Sequence, residues 1–95
     1  MILKLYSVKN CIICSDVKRM LVDTPPNCDV IIKDCTDSNP NNAIWEAEQL
    51  KVYELPTIIL YANNNVNSEV KRWIGRVNIE TINKTIENYE YKRLV

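Results

Sequence analysis

The sequence predicts an α/β domain in which a central four-stranded mixed sheet is flanked by three helices, in the order β-α-β-α-β-β-α. Stretches with the composition of strands recur along the chain, and segments with apolar residues at helical spacing separate the first three of them. The last two strands are joined by a connection too short for a crossover, so they must pair antiparallel. The strand-helix-strand order at the start favours a right-handed parallel unit.

The first half of the chain supplies this parallel unit. Residues 2–6 alternate apolar and mixed side chains, which predicts a strand. Residues 11–22 have apolar side chains at helical spacing, with Asn10 as the expected N-cap. Thr24 precedes two prolines and therefore ends the helix. Residues 30–32, Val-Ile-Ile, predict a strand buried on both faces of the sheet.

The second half predicts a helix, a hairpin and a final helix. Residues 43–52 have an apolar stripe, and Pro56 leads into a strongly apolar strand. The loop NNNVNS then connects to the partner strand EVKRWI, which Gly75 ends.

Asn78 is the expected cap of the last helix. The buried face of that helix is predicted to contain Ile79, Ile82, Ile86 and Tyr89.

Length and composition limit the classes of function. The 95 residues, 46% of them hydrophobic, are enough for a single domain over residues 1–95. Twelve basic residues balance twelve acidic ones, so no electrostatic field favours nucleic acid or an anionic membrane as a partner. The start MILKLY is too short for a signal sequence, and no apolar run approaches the roughly 20 residues of a membrane span. We expect a monomeric, cytoplasmic protein.

The chemistry of the chain is concentrated in the motif Cys11-Ile12-Ile13-Cys14. In a reducing compartment, a CxxC motif indicates metal binding or thiol chemistry. Spacing of i, i+3 at a helix start brings the two Cα atoms to roughly 5 Å, within the reach of a disulfide. The pair could be a redox dithiol, half of a metal site or two thiols packed in a core. The position at a helix start, directly after the first strand, favours the dithiol.

The helix assigns a different role to each cysteine. Cys11 lies in the first turn, where free N–H groups and the positive helix end typically lower a thiol pKa from about 8.5 to about 3.5–7.5, so it is the predicted nucleophile. Cys14 lies on the buried stripe and is the predicted resolving thiol. Ile12 and Ile13 cannot both point inward, so one is a candidate contact for a protein substrate, although both could pack on the following loop. Lys9 is a candidate for adding positive potential.

A zinc site built from all four cysteines is not expected. The chain contains no histidine and no second CxxC knuckle. Cys28 and Cys35 flank a predicted strand and would stand about 23 Å apart at about 3.3 Å per residue. Neither a metal nor a bound cofactor is therefore predicted. Cys35 should lie at the same edge of the sheet as the CxxC motif. It is either a third redox thiol or an ordinary strand-end cysteine, and the second interpretation is favoured. A purely structural role is favoured even more strongly for Cys28.

Together, these motifs resemble the thioredoxin superfamily. CIIC follows the first strand, Leu55-Pro56-Thr57 leads the third, and Gly75 precedes the last helix. The resemblance covers essentially the whole chain, whose size and layout are similar to those of a glutaredoxin. It implies a cis Pro56, where the sequence alone also allows a trans proline at the start of an edge strand. It further implies that a substrate binds along Leu55 and Thr57 and that its backbone approaches the dithiol at Gly75.

The sequence also departs from both branches of this superfamily. CIIC lacks the aromatic residue that is usual in glutaredoxins, and Gly75-Arg76 stands where they have a Gly-Gly pair. Relative to thioredoxins, Asn10 replaces the tryptophan before the motif, and Leu5 stands where a buried carboxylate is expected. Arg76 and Lys9 are candidates for binding a carboxylate of glutathione.

The resemblance implies a thiol-disulfide oxidoreductase that reduces protein disulfides, for example as an electron donor to ribonucleotide reductase. Its redox group would be the Cys11–Cys14 disulfide, reduced again by a flavoprotein of the thioredoxin reductase type or by glutathione. One alternative is a glutathione-dependent glutaredoxin. Another is a binding module of the same fold whose dithiol is redox-inert or bridges a metal between protomers.

Overall fold

A four-stranded mixed sheet forms the centre of the structure, a computed structural model that describes residues 1–94. The strands are β1 (Ile2–Ser7), β2 (Asp29–Asp34), β3 (Thr57–Tyr61) and β4 (Glu69–Ile74). The helices are α1 (Ile12–Asp23), α2 (Ile44–Gln49) and α3 (Ile79–Leu94). The predicted fold class and element order are therefore confirmed.

The order of the strands across the sheet is β2-β1-β3-β4. β1 is parallel to β2 and antiparallel to β3, which pairs antiparallel with β4. Because neighbouring side chains on a strand point to opposite faces, the two central strands contribute to two separate cores. One core lies against α1 and α3 and contains Leu3, Leu5, Val17, Leu21, Ile58, Leu60, Ile82 and Ile86. The other lies against α2 and contains Tyr6, Cys35, Ala47, Val52, Ile59 and Tyr61.

The prediction that the strand through residues 30–32 is buried on both faces was wrong. β2 is an edge strand, and Ile31 and Ile32 are 37% and 39% exposed. β3, which lies between β1 and β4, is instead buried along its whole length. An apolar run predicts a strand but does not specify its position in the sheet.

Two helix boundaries also differ from the prediction. Asn10 is not the N-cap of α1, because it adopts a left-handed conformation with φ of 59° and the extended residue that follows it, Cys11, takes the cap position. α2 is shorter than residues 43–52, since the chain turns at Lys51, which has φ of 58°. At the start of α3 the prediction holds, because the Asn78 side chain accepts a hydrogen bond from the backbone N–H of Thr81 at 2.8 Å.

Within residues 1–94, no helix combines the length and the apolar character that crossing a membrane requires.

Candidate active site

The Cys11–Cys14 pair lies at the start of α1, directly after the loop that follows β1. The two sulfur atoms are within disulfide-bonding distance, and the two Cα atoms are 5.2 Å apart, as the i, i+3 spacing predicts. Cys11 is partly exposed, whereas Cys14 is only 2% exposed and belongs to the inward face of the helix. The pair therefore consists of one accessible and one buried sulfur.

Cys11 is itself the N-cap of α1. Its backbone is extended, with φ of −116° and ψ of 111°, and its Sγ accepts a hydrogen bond from the backbone N–H of Cys14 at 3.1 Å. A sulfur at this position faces the unpaired N–H groups and the positive end of the helix, both of which favour a thiolate over a thiol. The sequence placed Cys11 inside the first turn; the structure places it one position earlier, with a direct hydrogen bond to its sulfur.

Both residues between the cysteines face outward. Ile12 is 79% exposed and Ile13 is 37% exposed, so neither packs into the core. Ile12 in particular presents an apolar side chain next to the accessible sulfur.

The segment that leads into β3 has the conformation that the resemblance implied. The Leu55–Pro56 peptide bond is cis, and the carbonyl oxygen of Pro56 accepts a hydrogen bond from the backbone N–H of Gly75 at 2.9 Å. Leu55 is half-buried and packs against the core beside α2. Thr57 is buried, and its hydroxyl donates to the carbonyl of Glu54, so its side chain is directed into the fold.

Gly75 occupies a backbone conformation that other residues rarely adopt. Its φ is 81°, and a Cβ atom added there would meet nothing within 4 Å. The need for glycine at this position therefore comes from the backbone dihedral alone. The open space above Gly75 leaves room for another chain to approach.

The two candidate basic residues lie in different surroundings. Arg76 follows Gly75 and donates to the carboxylate of Asp16 on α1 at 2.7 Å, which joins the loop after β4 to the helix that carries the cysteines. The Lys9 side chain is exposed, and its backbone N–H donates to the hydroxyl of Thr36 at 2.9 Å.

A cavity of about 330 Å³ lies beside the buried cysteine. The residues that line it include Ser7, Lys9, Asn10, Cys14, Lys18 and Asp34. Lys18 and Asp34 are not among the functional residues predicted from the sequence. Their positions could have indicated them, since Lys18 is one helical turn after Cys14 and Asp34 ends a strand parallel to β1, next to the start of α1.

Asp34 is held in place by the loop that follows β2. Hydrogen bonds from the side chains of Thr36 and Asn39, together with one from the backbone N–H of Thr36, lower the pKa of Asp34 to about 2. The carboxylate is therefore ionised at every pH at which the thiols titrate.

Cys28 and Cys35 belong to different parts of the fold. Cys28 packs against the core beside α1 and α3, whereas Cys35 is 7% exposed in the core beside α2. Burial raises the pKa of both thiols, and the nearby carboxylates of Asp34 and Glu46 raise that of Cys35 further. Both cysteines are therefore poor nucleophiles, which supports the interpretation of Cys35 as an ordinary strand-end cysteine.

Within residues 1–94, no three side chains among the cysteines and carboxylates come together in a way that could hold a metal ion.

Comparison with solved structures identifies the fold. The chain is similar to thioredoxin 1 from the thermophilic eubacterium Thermosipho africanus TCF52B, with 20% identity, a TM-score of 0.67 and coverage of 100% of both chains. A thioredoxin from Aeropyrum pernix matches with 12% identity and a TM-score of 0.71 over 93% of this chain and 73% of its own. The chain has the thioredoxin fold. A third structure with the same fold, described as a malarial protein, is 21% identical, with a TM-score of 0.67, over 92% of this chain and 93% of that one.

Comparisons of sequence alone give no assignment. No protein-family model matches this thioredoxin-fold chain, and no curated protein is similar enough in sequence to match it. The likeness is therefore one of fold. The cysteine pair at the start of α1 in this chain is an arrangement that fits thiol-disulfide chemistry.

Proposed function

We propose that this protein is a thiol-disulfide oxidoreductase that reduces disulfides in other proteins. The Cys11 thiolate attacks one sulfur of the target disulfide, and the other target sulfur leaves as a thiolate. The Cys14 thiolate then attacks Cys11 in the mixed disulfide, which forms the Cys11–Cys14 disulfide and releases the second target sulfur. Two electrons pass from the dithiol to the target.

The observation that carries this proposal is the unequal environment of the two sulfurs. The partly exposed Sγ of Cys11 accepts a backbone N–H at the positive end of α1, while Cys14 is buried one turn further on. A nucleophile must be accessible and ionised, and a resolving thiol must be protected from other disulfides. Two cysteines that only filled space in a core would both be buried.

The surface around Cys11 supports a protein as the substrate. Ile12 offers an exposed apolar side chain, and the open space above Gly75 admits an extended chain. We propose that the backbone of Leu55 pairs with such a chain beside Pro56, and that Ile13 adds apolar contact. Because the Thr57 side chain faces inward, we assign its part in binding to its backbone.

Regeneration of the dithiol requires an electron donor, either a thioredoxin-reductase-type flavoprotein or glutathione, and Lys9 and Arg76 are the candidates for contact with a carboxylate of glutathione. Ribonucleotide reductase is a candidate target. We place the protein in the cytoplasm, where a CxxC dithiol is kept reduced and available.

A Cys14→Ser variant tests the proposed mechanism. We expect it to lose catalytic reduction of a protein disulfide such as that of insulin and to accumulate a mixed disulfide on Cys11, because the resolving thiol is missing. Cys28→Ser is the matched control, since Cys28 lies outside the site, and it should retain full activity. Disulfide reduction and trapped intermediates are measured by insulin turbidity and mass spectrometry.

Two outcomes would count against the mechanism. Retained protein-disulfide reduction in Cys14→Ser would show that Cys14 is not the resolving thiol. Loss of protein-disulfide reduction with retained deglutathionylation would instead assign the chain to glutathione-dependent monothiol chemistry.

A further inference from the structure

The cavity beside Cys14 has a charged lining. Its charged residues are Lys9 from the loop after β1, Lys18 from α1 and Asp34 from the end of β2. We propose that these three residues set the proton affinity of the Cys14 thiol through the cavity and thereby control the resolving step. This inference rests on the proposed function, in which Cys14 is the resolving thiol.

The resolving step requires Cys14 to lose a proton. Its thiolate forms a bond to the Sγ of Cys11, the bond between Cys11 and the target sulfur breaks, and the electron pair leaves with the target sulfur. A buried thiol resists ionisation, because its charged form loses hydration. Because Cys14 is only 2% exposed, the cavity is its route to water. The proton of Cys14 passes through the cavity to solvent, and the departing target thiolate takes up a proton from solvent.

The three charges act on this thiol with different signs. Lys18 lies four residues after Cys14 on the same helix, a spacing that places Cβ atoms about 5–6 Å apart. Its ammonium group favours the thiolate, and Lys9, which also lines the cavity, acts in the same direction. Asp34, ionised because of its hydrogen bonds to Thr36 and Asn39, opposes them. The net charge of the lining therefore favours the Cys14 thiolate moderately.

The other elements packed around Cys14 contribute little further charge. The sheet face beneath α1 is built from apolar residues such as Leu5 and Ile58. On the flank of α1, the carboxylate of Asp16 forms an ion pair with Arg76. The thiol of Cys11 also titrates and lies in the same helix turn. An experiment that measures how the cavity affects the ionisation of Cys14 must therefore remove the Cys11 thiol.

The experiment measures the ionisation of Cys14 directly in the full-length Cys11→Ser chain. The rate at which iodoacetamide alkylates Cys14 is followed against pH, and the peptide that contains Cys14 is quantified by mass spectrometry. We expect Lys18→Met to slow this alkylation roughly three- to tenfold at pH 7, because loss of a nearby positive charge disfavours the thiolate. Arg19→Met is the matched control, since it removes an exposed cation from the same helix but outside the cavity, and it should have no effect.

Two further variants give the sign of the effect. Lys9→Met should also slow alkylation, whereas Asp34→Asn should move the pH midpoint of alkylation downward and leave the plateau rate at high pH unchanged. A loosened structure would speed alkylation by exposing Cys14 at every pH, so a slower rate in the lysine variants is not explained by local unfolding. Alkylation of Cys28, which lies outside the cavity, is the internal reference in every sample.

A second measurement follows the resolving step itself. In a chain with Cys28→Ser and Cys35→Ala, the reduced protein is mixed with Ellman's reagent, and the second release of thionitrobenzoate reports the attack of Cys14 on Cys11. Lys18→Met should slow this second phase at pH 7, and Arg19→Met should not.

The inference is overturned when the Cys14 pH profile is the same in the Lys9, Lys18 and Asp34 variants as in the parent chain, or when Arg19→Met shifts it as much as Lys18→Met. Failure of the proposed function is seen separately. In that case the wild-type chain does not reduce insulin, whatever the alkylation profile of Cys14.

Discussion

At the scale of single residues, three positions along α1, less than one helical turn, separate the roles of the two cysteines. As the N-cap, Cys11 has an extended backbone and a sulfur that points at a free N–H group. Cys14 is inside the helix, where its backbone is helical and its side chain faces the sheet. The difference in accessibility and charge stabilisation follows from this offset, without any additional acid or base in the motif.

Gly75 provides a prediction at the same scale. Gly75→Ala should lower the free energy of unfolding by about 1–2 kcal/mol, because an L-residue at φ of 81° brings its Cβ close to the following carbonyl oxygen. Nothing lies within 4 Å of the added methyl group, so no steric clash contributes to the cost. Urea unfolding, followed by tryptophan fluorescence, measures the difference in unfolding free energy between Gly75→Ala and the parent chain.

The control for Gly75 is Asn10, which also has a positive φ, of 59°. Asn10→Gly should leave the stability unchanged or raise it slightly, because glycine adopts this conformation without strain. An unchanged stability in Gly75→Ala would show that the strand can end there in an ordinary conformation.

At the scale of elements, the position of each strand in the sheet decides how much its apolar side chains contribute. β3 is buried along its whole length between two neighbours, and β2 has a partner on one side only. Strands of similar composition therefore make unequal contributions to stability.

A matched pair of isoleucines tests this difference between β2 and β3. Ile59 is fully buried and Ile32 is 39% exposed. Ile59→Ala should cost about 3–4 kcal/mol of unfolding free energy, because it removes buried contacts and leaves a cavity. Ile32→Ala should cost about 1 kcal/mol, because much of its side chain already contacts water. Equal losses in urea unfolding would contradict the edge position of β2.

At the scale of the whole molecule, one polar network connects three elements on the α2 side of the sheet. The Tyr6 hydroxyl donates to Glu46 at 2.6 Å, and Lys33 on β2 lies 3.5 Å from the same carboxylate. Burial and the hydrogen bond to Glu46 raise the pKa of Tyr6 well above its usual range. Burial raises the pKa of Glu46, but the hydrogen bond from Tyr6 and the charges of Lys33 and Lys4 outweigh it, so the pKa of that carboxyl is lowered.

These opposite shifts predict how stability depends on pH. The lowered pKa of Glu46 contributes stability that is present above about pH 4.5 and is lost as the pH falls through its folded value. The raised pKa of Tyr6 contributes stability that is present below about pH 10 and declines above it, because only the unfolded chain then ionises readily. The free energy of unfolding should therefore be highest between about pH 5 and pH 10.

Urea unfolding at a series of pH values measures this profile. Tyr6→Phe should reduce the loss of unfolding free energy at alkaline pH. Glu46→Gln should reduce the loss at acid pH, and Asp34 and Glu69, whose pKa values are also lowered, account for the remainder of that loss. An alkaline loss that is as large in Tyr6→Phe as in the parent chain would assign that loss to other groups, such as Tyr61.

The sequence by itself determined the order of the elements, the antiparallel hairpin, the cysteine pair and the glycine that ends β4. These depend on local patterns: periodicity, connection length, a fixed i, i+3 spacing and a backbone conformation that favours glycine. The tertiary structure alone decided which strand is central, which residue caps α1 and which charges surround Cys14. Asp34 and Cys14 are 20 positions apart in the chain and line one cavity only because parallel strands end at the same edge of the sheet. Such contacts depend on how elements pack, and no short stretch of sequence contains that information.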